Sequence, residues 1–362
     1  MVINGYVLET ELQNANSGFS KWGFATKCGR EYFIKELITP VYPVDRSVMT
    51  DEMFQQRRAD CAKYENRFRT FYDAINNASC GNLVRIDEFF RSGSRYYLIT
   101  EKISGKTIPL EELAALPNDK KLLLLKTVAN CFHKLHSSGI VHFDVKPANI
   151  LIKTTANGNY TAKLIDFDAG FFLGEDIENS ELGGDLTYLA PETFLGIYGE
   201  DVRINEKADI FALGLVFHQY CYASLPAFNQ EEYSYPYEAV LDDSELTVQK
   251  GTIPEELSDM INAMLDVDPE KRPSAGEIFN KLNQITGVSI VASAQRSYPS
   301  GMNVGTGAAR GSRLKGTAIS GVRNNNVPVP GGGMGANTSA ATVPSSSETS
   351  AANPWFSSAG DL

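Results

Sequence analysis

The chain has 362 residues, with 33 Lys and Arg against 44 Asp and Glu, for a net charge of −11. That length suits one large domain or two lobes sharing a cleft, and an acidic body argues against a duplex-binding surface, which needs a basic footprint. Five cysteines, at 28, 61, 80, 131 and 221, show no CxxC spacing and read as small hydrophobes of a reducing compartment.

In chain order, the first hundred residues read mostly as strands. GREYFIKEL (29–37) and SRYYLITEKI (94–103) are rich in aromatic and β-branched residues and bounded by glycine or polar turns. Between them, the spacing of DEMFQQRRADCAKYENRFRTFYDAI predicts a helix over 51–75 with one charged face. A second helix is predicted over 119–136, ended by Ser137, Ser138 and Gly139. ILI after Asn149 and AKLI before Asp166 predict two short strands that pair as a hairpin. Residues 207–225 are apolar on nearly every face, which suits a helix at the centre of a large lobe. Segments 254–266 and 273–285 predict helices packed around it, with Pro254 and Pro273 where the first turn tolerates a missing N–H. From about 291 to 362 the chain is Gly, Ser, Ala, Asn and Pro with few large apolar side chains. Such a stretch cannot bury enough surface to offset its ordering, and it is expected to be a disordered tail. No signal segment and no apolar run of bilayer-spanning length is read, so a cytoplasmic enzyme or binding protein is expected.

HFDVKPANILI and IDFDAG carry the chemistry. Each places a carboxylate among apolar residues, and a hairpin between them brings Asn149 beside Asp166 as two oxygen donors for a hard divalent ion. Asp144 then stands apart, free to orient or deprotonate a hydroxyl, and Lys146 can meet a phosphate oxygen. On these residues alone, magnesium-dependent phosphoryl transfer stands beside a plain structural turn.

The chain resembles eukaryotic-type serine/threonine protein kinases over roughly residues 5–285. HFDVKPAN resembles the catalytic loop H-R-D-x-x-x-x-N, with His142, Asp144, Lys146 and Asn149 in place. IDFDAG is similar to the metal-binding D-F-G through Asp166 and Phe167, and YLAPE supplies A-P-E through Glu192. DIFALG opens a helix with Asp209, DPEKRPS ends in Arg272, and FIKEL places Lys35 at the V-A-I-K lysine. The resemblance implies an α+β, bilobal fold over 1–290, with a strand-rich N-lobe of about 1–103 and a helical C-lobe of about 104–290. It implies ATP and Mg²⁺ (or Mn²⁺) as cofactors and a protein substrate. Lys35 would hold the α and β phosphates and pair with a helix carboxylate, Glu65 by its mid-helix position, or Glu52 at the helix start. Asn149 and Asp166 would hold the metal, Asp144 would take or aim the hydroxyl, and Lys146 would steady the γ-phosphate. Gly18, Phe33, Thr100, Glu101 and Ile103 would border the nucleotide, while Glu192, Arg272 and Asp209 would be structural.

The sequence departs from the pattern at several points. Gln13 and Ala15 stand at the first two glycine positions of the phosphate-covering loop, where Gly18 alone matches. Phe33 replaces the small residue over adenine and is expected to narrow the pocket or stack on the base. Phe143 replaces the arginine of H-R-D, and Asp185 stands where a Thr is expected, so activity without activation-loop phosphate is expected. Asp168 replaces the glycine of D-F-G. Two other readings stand beside this one: an ATP-binding pseudokinase acting as a regulatory module, and a small-molecule phosphotransferase, a class that lacks YLAPE, DIFALG and DPEKRPS. The Ser/Thr-rich tail is a candidate for self-phosphorylation.

Overall fold

The computed structural model describes residues 1–14, 20–79, 81–103, 108–155, 157–175, 177 and 182–285, all within one compact unit. The expected tail lies outside the described residues. Strands β1 (Val2–Ile3), β2 (Tyr6–Leu8), β3 (Ser20–Lys27) and β4 (Arg30–Leu37) form successive antiparallel pairs. Helix α1 (Asp51–Ala78) interrupts them before β5 (Ile86–Ser92) and β6 (Arg95–Glu101) complete a six-stranded sheet of order β1-β2-β3-β4-β6-β5. Alternation in REYFIKEL and RYYLITE puts aromatic and branched side chains on both faces of this sheet. One face packs with α1 through Phe71, Tyr72 and Ile75; the other joins Ile3, Tyr6, Ala25, Ile34 and Ile99 in a separate small core.

The start of α1 follows from its sequence. Thr50 caps it by accepting from Met53 N at 3.3 Å, and Asp51 and Glu52 complement the positive end of the dipole. The helix runs three residues past its expected end because Asn76 turns its amide onto both backbone groups of Ile86, tying its last turn to β5.

The second half of the chain is helical. After α2 (Leu110–Ala114) and α3 (Asn118–Ser137) come the short strand β7 (Ile140–Val141) and a 3₁₀ turn at Pro147–Asn149. The hairpin β8 (Ile150–Thr154) and β9 (Tyr160–Leu164) pairs Ile150 with Leu164, and β10 (Phe171–Phe172) returns to pair with β7. Helices α4 (Pro191–Ile197), α5 (Lys207–Tyr222), α6 (Pro236–Leu241), α7 (Glu255–Met264) and α8 (Ala275–Ile285) follow. Every residue of α5 from Ala208 to Cys221 is buried, as its all-round apolar sequence requires. Gly214 lets α7 approach this helix: a Cβ there would lie 2.9 Å from Leu265 Cδ2 and 3.1 Å from Met264 Cβ. α5 stops short of residue 225 because Ala223 adopts a left-handed cap, φ 58°, donating to Gln219 O. The fold is therefore α+β and bilobal, strand-rich then helical, and no described helix is long and apolar enough to cross a membrane.

Candidate active site

The strands bring the two motifs together. Register in the β8–β9 hairpin continues one step further, where Ile165 N donates to Asn149 O at 3.0 Å, so Asn149 and Asp166 leave the hairpin side by side. Asp166 turns out of the strand with φ 60°, a left-handed conformation that costs a side chain about 1–2 kcal/mol and marks a residue held by its surroundings. What holds it is Lys35. The Lys35 Nζ, on β4 and 4 % exposed, lies 2.8 Å from Asp166 Oδ1 and 2.8 Å from Asp168 Oδ2. Burial alone would lower the lysine, but the two carboxylates outweigh it and hold the ammonium above its usual range. Burial likewise pushes Asp166 up, and Lys35 overcomes it, keeping that carboxyl below its usual value. Asp168 bears the opposite shift: removal from water and the neighbouring Asp166 raise it against the pull of Lys35.

Asp144 sits on the loop between β7 and the 3₁₀ turn. Its Oδ2 receives Asn149 Nδ2 at 2.8 Å and lies 3.0 Å from Lys146 Nζ. Asn149 also donates Nδ2 to Asp144 O at 2.8 Å, which fixes the amide and leaves its carbonyl oxygen for a cation. A carbonyl oxygen beside the Asp166 carboxylate is the hard-oxygen donor pair that magnesium accepts when phosphates and water complete its shell, so these residues fit the expected ion. Lys146 lies 4.0 Å from Asp185 Oδ2, and Asp144, Asp185, Tyr188 and Thr193 line one small cavity.

The loop carrying Asp144 is braced from below. Asp209, 1 % exposed at the start of α5, accepts from His142 N and Phe143 N, each at 2.8 Å, and meets His136 Nε2 at 2.9 Å. This grip offsets the left-handed φ of 66° at Phe143. His142 Nε2 donates to Ile165 O at 3.0 Å, and its Nδ1 accepts from Asp144 N at 3.3 Å. One imidazole thereby fixes Asp144 relative to Ile165, between the end of β9 and Asp166. Deeper in the C-lobe, Arg272 and Glu192 form a fork–fork pair at 2.7 and 2.8 Å. The other Arg272 donors reach Asp266 O, Lys207 O and Val267 O, so all five N–H groups are used.

Several expected residues are placed differently. Glu65 does not reach Lys35: it accepts from Tyr96 OH at 2.9 Å and lies 3.9 Å from Arg91. α1 also carries Tyr64, Phe68 and Tyr72, whose rings pack in succession, tilted, with centroids 4.3 and 5.4 Å apart. The alternative, Glu52, is exposed in the first turn of α1. Phe33, 2 % exposed, lies against Trp22 at 5.8 Å and edge-on to Phe24 at 5.9 Å, so β3 supplies aromatic rings to the region expected for adenine. Glu101 binds Lys163 and Arg85 N with its side chain, and its own N–H donates to Arg85 O at 3.2 Å. Among the described residues, Thr100 Oγ1 is buried without a hydrogen-bond partner and no backbone group bonds to Ile103. Gly18 and Ala15 lie outside the described residues; Gln13 exchanges backbone bonds with Trp22 at 2.8 and 2.9 Å.

Other contacts emerge only in three dimensions. Arg67 Nε on α1 donates to Glu175 Oε1 at 2.6 Å, and Glu175 also accepts from Phe172 N at 3.0 Å. Gly170 sits where a Cβ would come within 2.6 Å of Phe71 Cζ, so the glycine of IDFDAG serves this close approach.

With this geometry in place, the chain belongs to the protein kinase family. The family model for the protein kinase domain matches residues 48–282, beginning after the lysine strand. Among curated proteins, the chain is 28% identical over 199 residues to a probable myosin light chain kinase of Dictyostelium discoideum, covering 54% of this chain and 62% of that one. It is 29% identical over 232 residues to a probable serine/threonine-protein kinase of Clostridium perfringens, covering 60% and 32%. It is 28% identical over 228 residues to the serine/threonine-protein kinase cds1 of Schizosaccharomyces pombe, covering 58% and 46%. The chain thus spans between about a third and two-thirds of these relatives.

Proposed function

We propose that the protein transfers the γ-phosphoryl group of ATP to Ser or Thr of a protein substrate, with Mg²⁺ or Mn²⁺ as the metal. The observation that carries this reading is one connected network: Lys35 to Asp166, and Asn149 to Asp144 to Lys146, joined where Ile165 N meets Asn149 O. When bound, the divalent ion supplies charge neutralisation between the phosphates. Asp166 and the Asn149 carbonyl would hold it. Lys35 has a third N–H to offer an α- or β-phosphate oxygen. Asp144, held by Asn149 and Lys146, keeps its second carboxylate oxygen to accept or orient the acceptor hydroxyl. Lys146 lies beside that oxygen pair, where it meets charge building on the transferred group. Thr100, Ile103 and the aromatic set of Trp22, Phe24 and Phe33 would enclose the base.

Ser/Thr specificity is supported by Lys146, two residues after Asp144, and by the relatives' names. The tail beyond residue 290, rich in Ser and Thr, is proposed as one acceptor, tethered at high effective concentration. A second reading, a nucleotide-binding regulatory module without transfer, is favoured by the aromatic packing around Phe33. Incubation with γ-labelled ATP and Mg²⁺ or Mn²⁺, followed by phosphosite mapping, separates them. Labelled phosphoserine or phosphothreonine is expected; label only on tyrosine overturns the acceptor class, and no label with either metal favours the module.

A further inference from the structure

Lys35 is gripped by two carboxylates of one motif, and α1 offers it none. The two contacts are equal in length, 2.8 Å to Asp166 and 2.8 Å to Asp168, and approach the ammonium from the C-lobe side. Helix α1 carries Tyr64, Phe68 and Tyr72 as a row of packed rings. Burial and then the charge of Asp168 push both tyrosine hydroxyls up, which places that carboxylate against this helix face. Among the described residues the buried Tyr72 hydroxyl has no hydrogen-bond partner. Glu65, next to Tyr64, is spent on Tyr96 and Arg91.

With a divalent ion held by Asp166, these partners would become unequal. A carboxylate shared between a cation and an ammonium gives up much of its hold on the ammonium, and Lys35 is too buried to recover that loss from water. Asp168, two residues beyond the metal-facing Asp166 and still 35 % exposed, keeps its grip without competing for the ion. We propose that Asp168 is a positioning residue for phosphoryl transfer, holding the Lys35 ammonium toward the nucleotide from within the IDFDAG motif in place of a carboxylate from α1. The proposal rests on the reading of Asp166 as a metal ligand and Lys35 as a phosphate contact. Its consequence is that Lys35 is set without any inward movement of α1, whose aromatic face packs rather than pairs.

The test has a metal-free arm and a kinetic arm. In the full-length protein without metal or nucleotide, Asp166→Asn imitates withdrawal of that carboxylate. Labelling of Lys35 by an amine-reactive reagent, read by mass spectrometry, is expected to change by less than about threefold in Asp166→Asn or Asp168→Asn alone. In the double variant it rises by at least about tenfold, the scale of one charge-assisted hydrogen bond. In the kinetic arm, Asp168→Asn lowers kcat by about tenfold or more and raises KM for ATP, as misplacement of a phosphate contact should. Asp168→Glu, which keeps the charge, restores kcat to within about threefold and separates loss of charge from loss of fold. A full rise in labelling from Asp166→Asn alone, with nothing added by the second change, overturns the proposal. So does wild-type kcat/KM in Asp168→Asn while the wild type transfers normally. A wild type that transfers nothing overturns it together with the functional reading beneath it.

Discussion

Asp209 shows how one buried carboxylate can govern a site it does not enter. Its two oxygens take the N–H groups of His142 and Phe143 and the His136 ring, and Phe143 accepts a left-handed backbone in return. Asp209→Ala strands two buried N–H groups, at about 1–3 kcal/mol each, and releases the strained loop that aims Asp144. The expected result is a lower unfolding free energy and a fall in kcat larger than any rise in KM, measured by denaturant titration and steady-state kinetics. A stable, fully active Asp209→Ala protein would contradict the bracing role. That Asn149 and Asp166 emerge side by side was legible in the sequence, because the pairing of two short strands around one turn is local. The partner of Lys35 was not. It depends on which face of a long helix meets the sheet, and α1 is charged around much of its circumference, so Glu65 fitted the pattern yet meets Tyr96 and Arg91.

At the scale of elements, the Arg272–Glu192 fork joins the turn before α8 to the start of α4. Arg272→Ala leaves the Glu192 carboxylate buried without its cation and is expected to cost about 3–5 kcal/mol in denaturant unfolding. Replacing both residues by leucine recovers little, because Asp266 O, Lys207 O and Val267 O still lose their donors. A cost below about 1 kcal/mol, the worth of an exposed pair, would contradict the geometry. The Arg67–Glu175 pair, with Phe71 edge-on to Phe172 at 5.3 Å, fastens the segment after IDFDAG to α1 through side chains already in the sequence. Asp185 likewise stands beside Lys146. Phosphatase treatment is therefore expected to leave the initial rate on an added substrate nearly unchanged. A large, phosphatase-sensitive activation traced to Thr187 would overturn that expectation. Asp176, Glu178, Ser180 and Glu181 lie outside the described residues. The Arg67–Glu175 link was invisible beforehand because it joins residues 108 apart in the chain. The major helices and the β8–β9 hairpin were legible because periodicity and turn residues are local; their ends shifted where tertiary contacts, such as Asn76 with Ile86, extended them.

For the whole molecule, acid should loosen the C-lobe through His218. Its Nδ1 donates to Ser224 O at 2.6 Å, its Nε2 accepts from Gln249 N at 3.2 Å, and Tyr222 packs at 4.8 Å. Burial lowers its pKa, against the bond to Ser224, so the unfolded chain takes a proton first, near its ordinary value of about 6.5. The stability from the neutral ring is complete above that pH and is lost as pH falls toward the lower folded value. Unfolding free energy should fall from pH 7.5 to 5.5, and His218→Gln should flatten that fall; an unchanged slope would contradict it. The central claim, that the two lobes together form a phosphoryl-transfer site, is tested most directly by Asp144→Asn. Asparagine keeps the shape and a bond to Lys146 but cannot accept a proton. Transfer from labelled ATP and the affinity for ATP with Mg²⁺ should be measured on the same preparation. The account predicts that turnover falls by at least about 100-fold, the usual worth of general-base catalysis, while nucleotide affinity stays within about threefold. Equal turnover in Asp144→Asn and the wild type would contradict it.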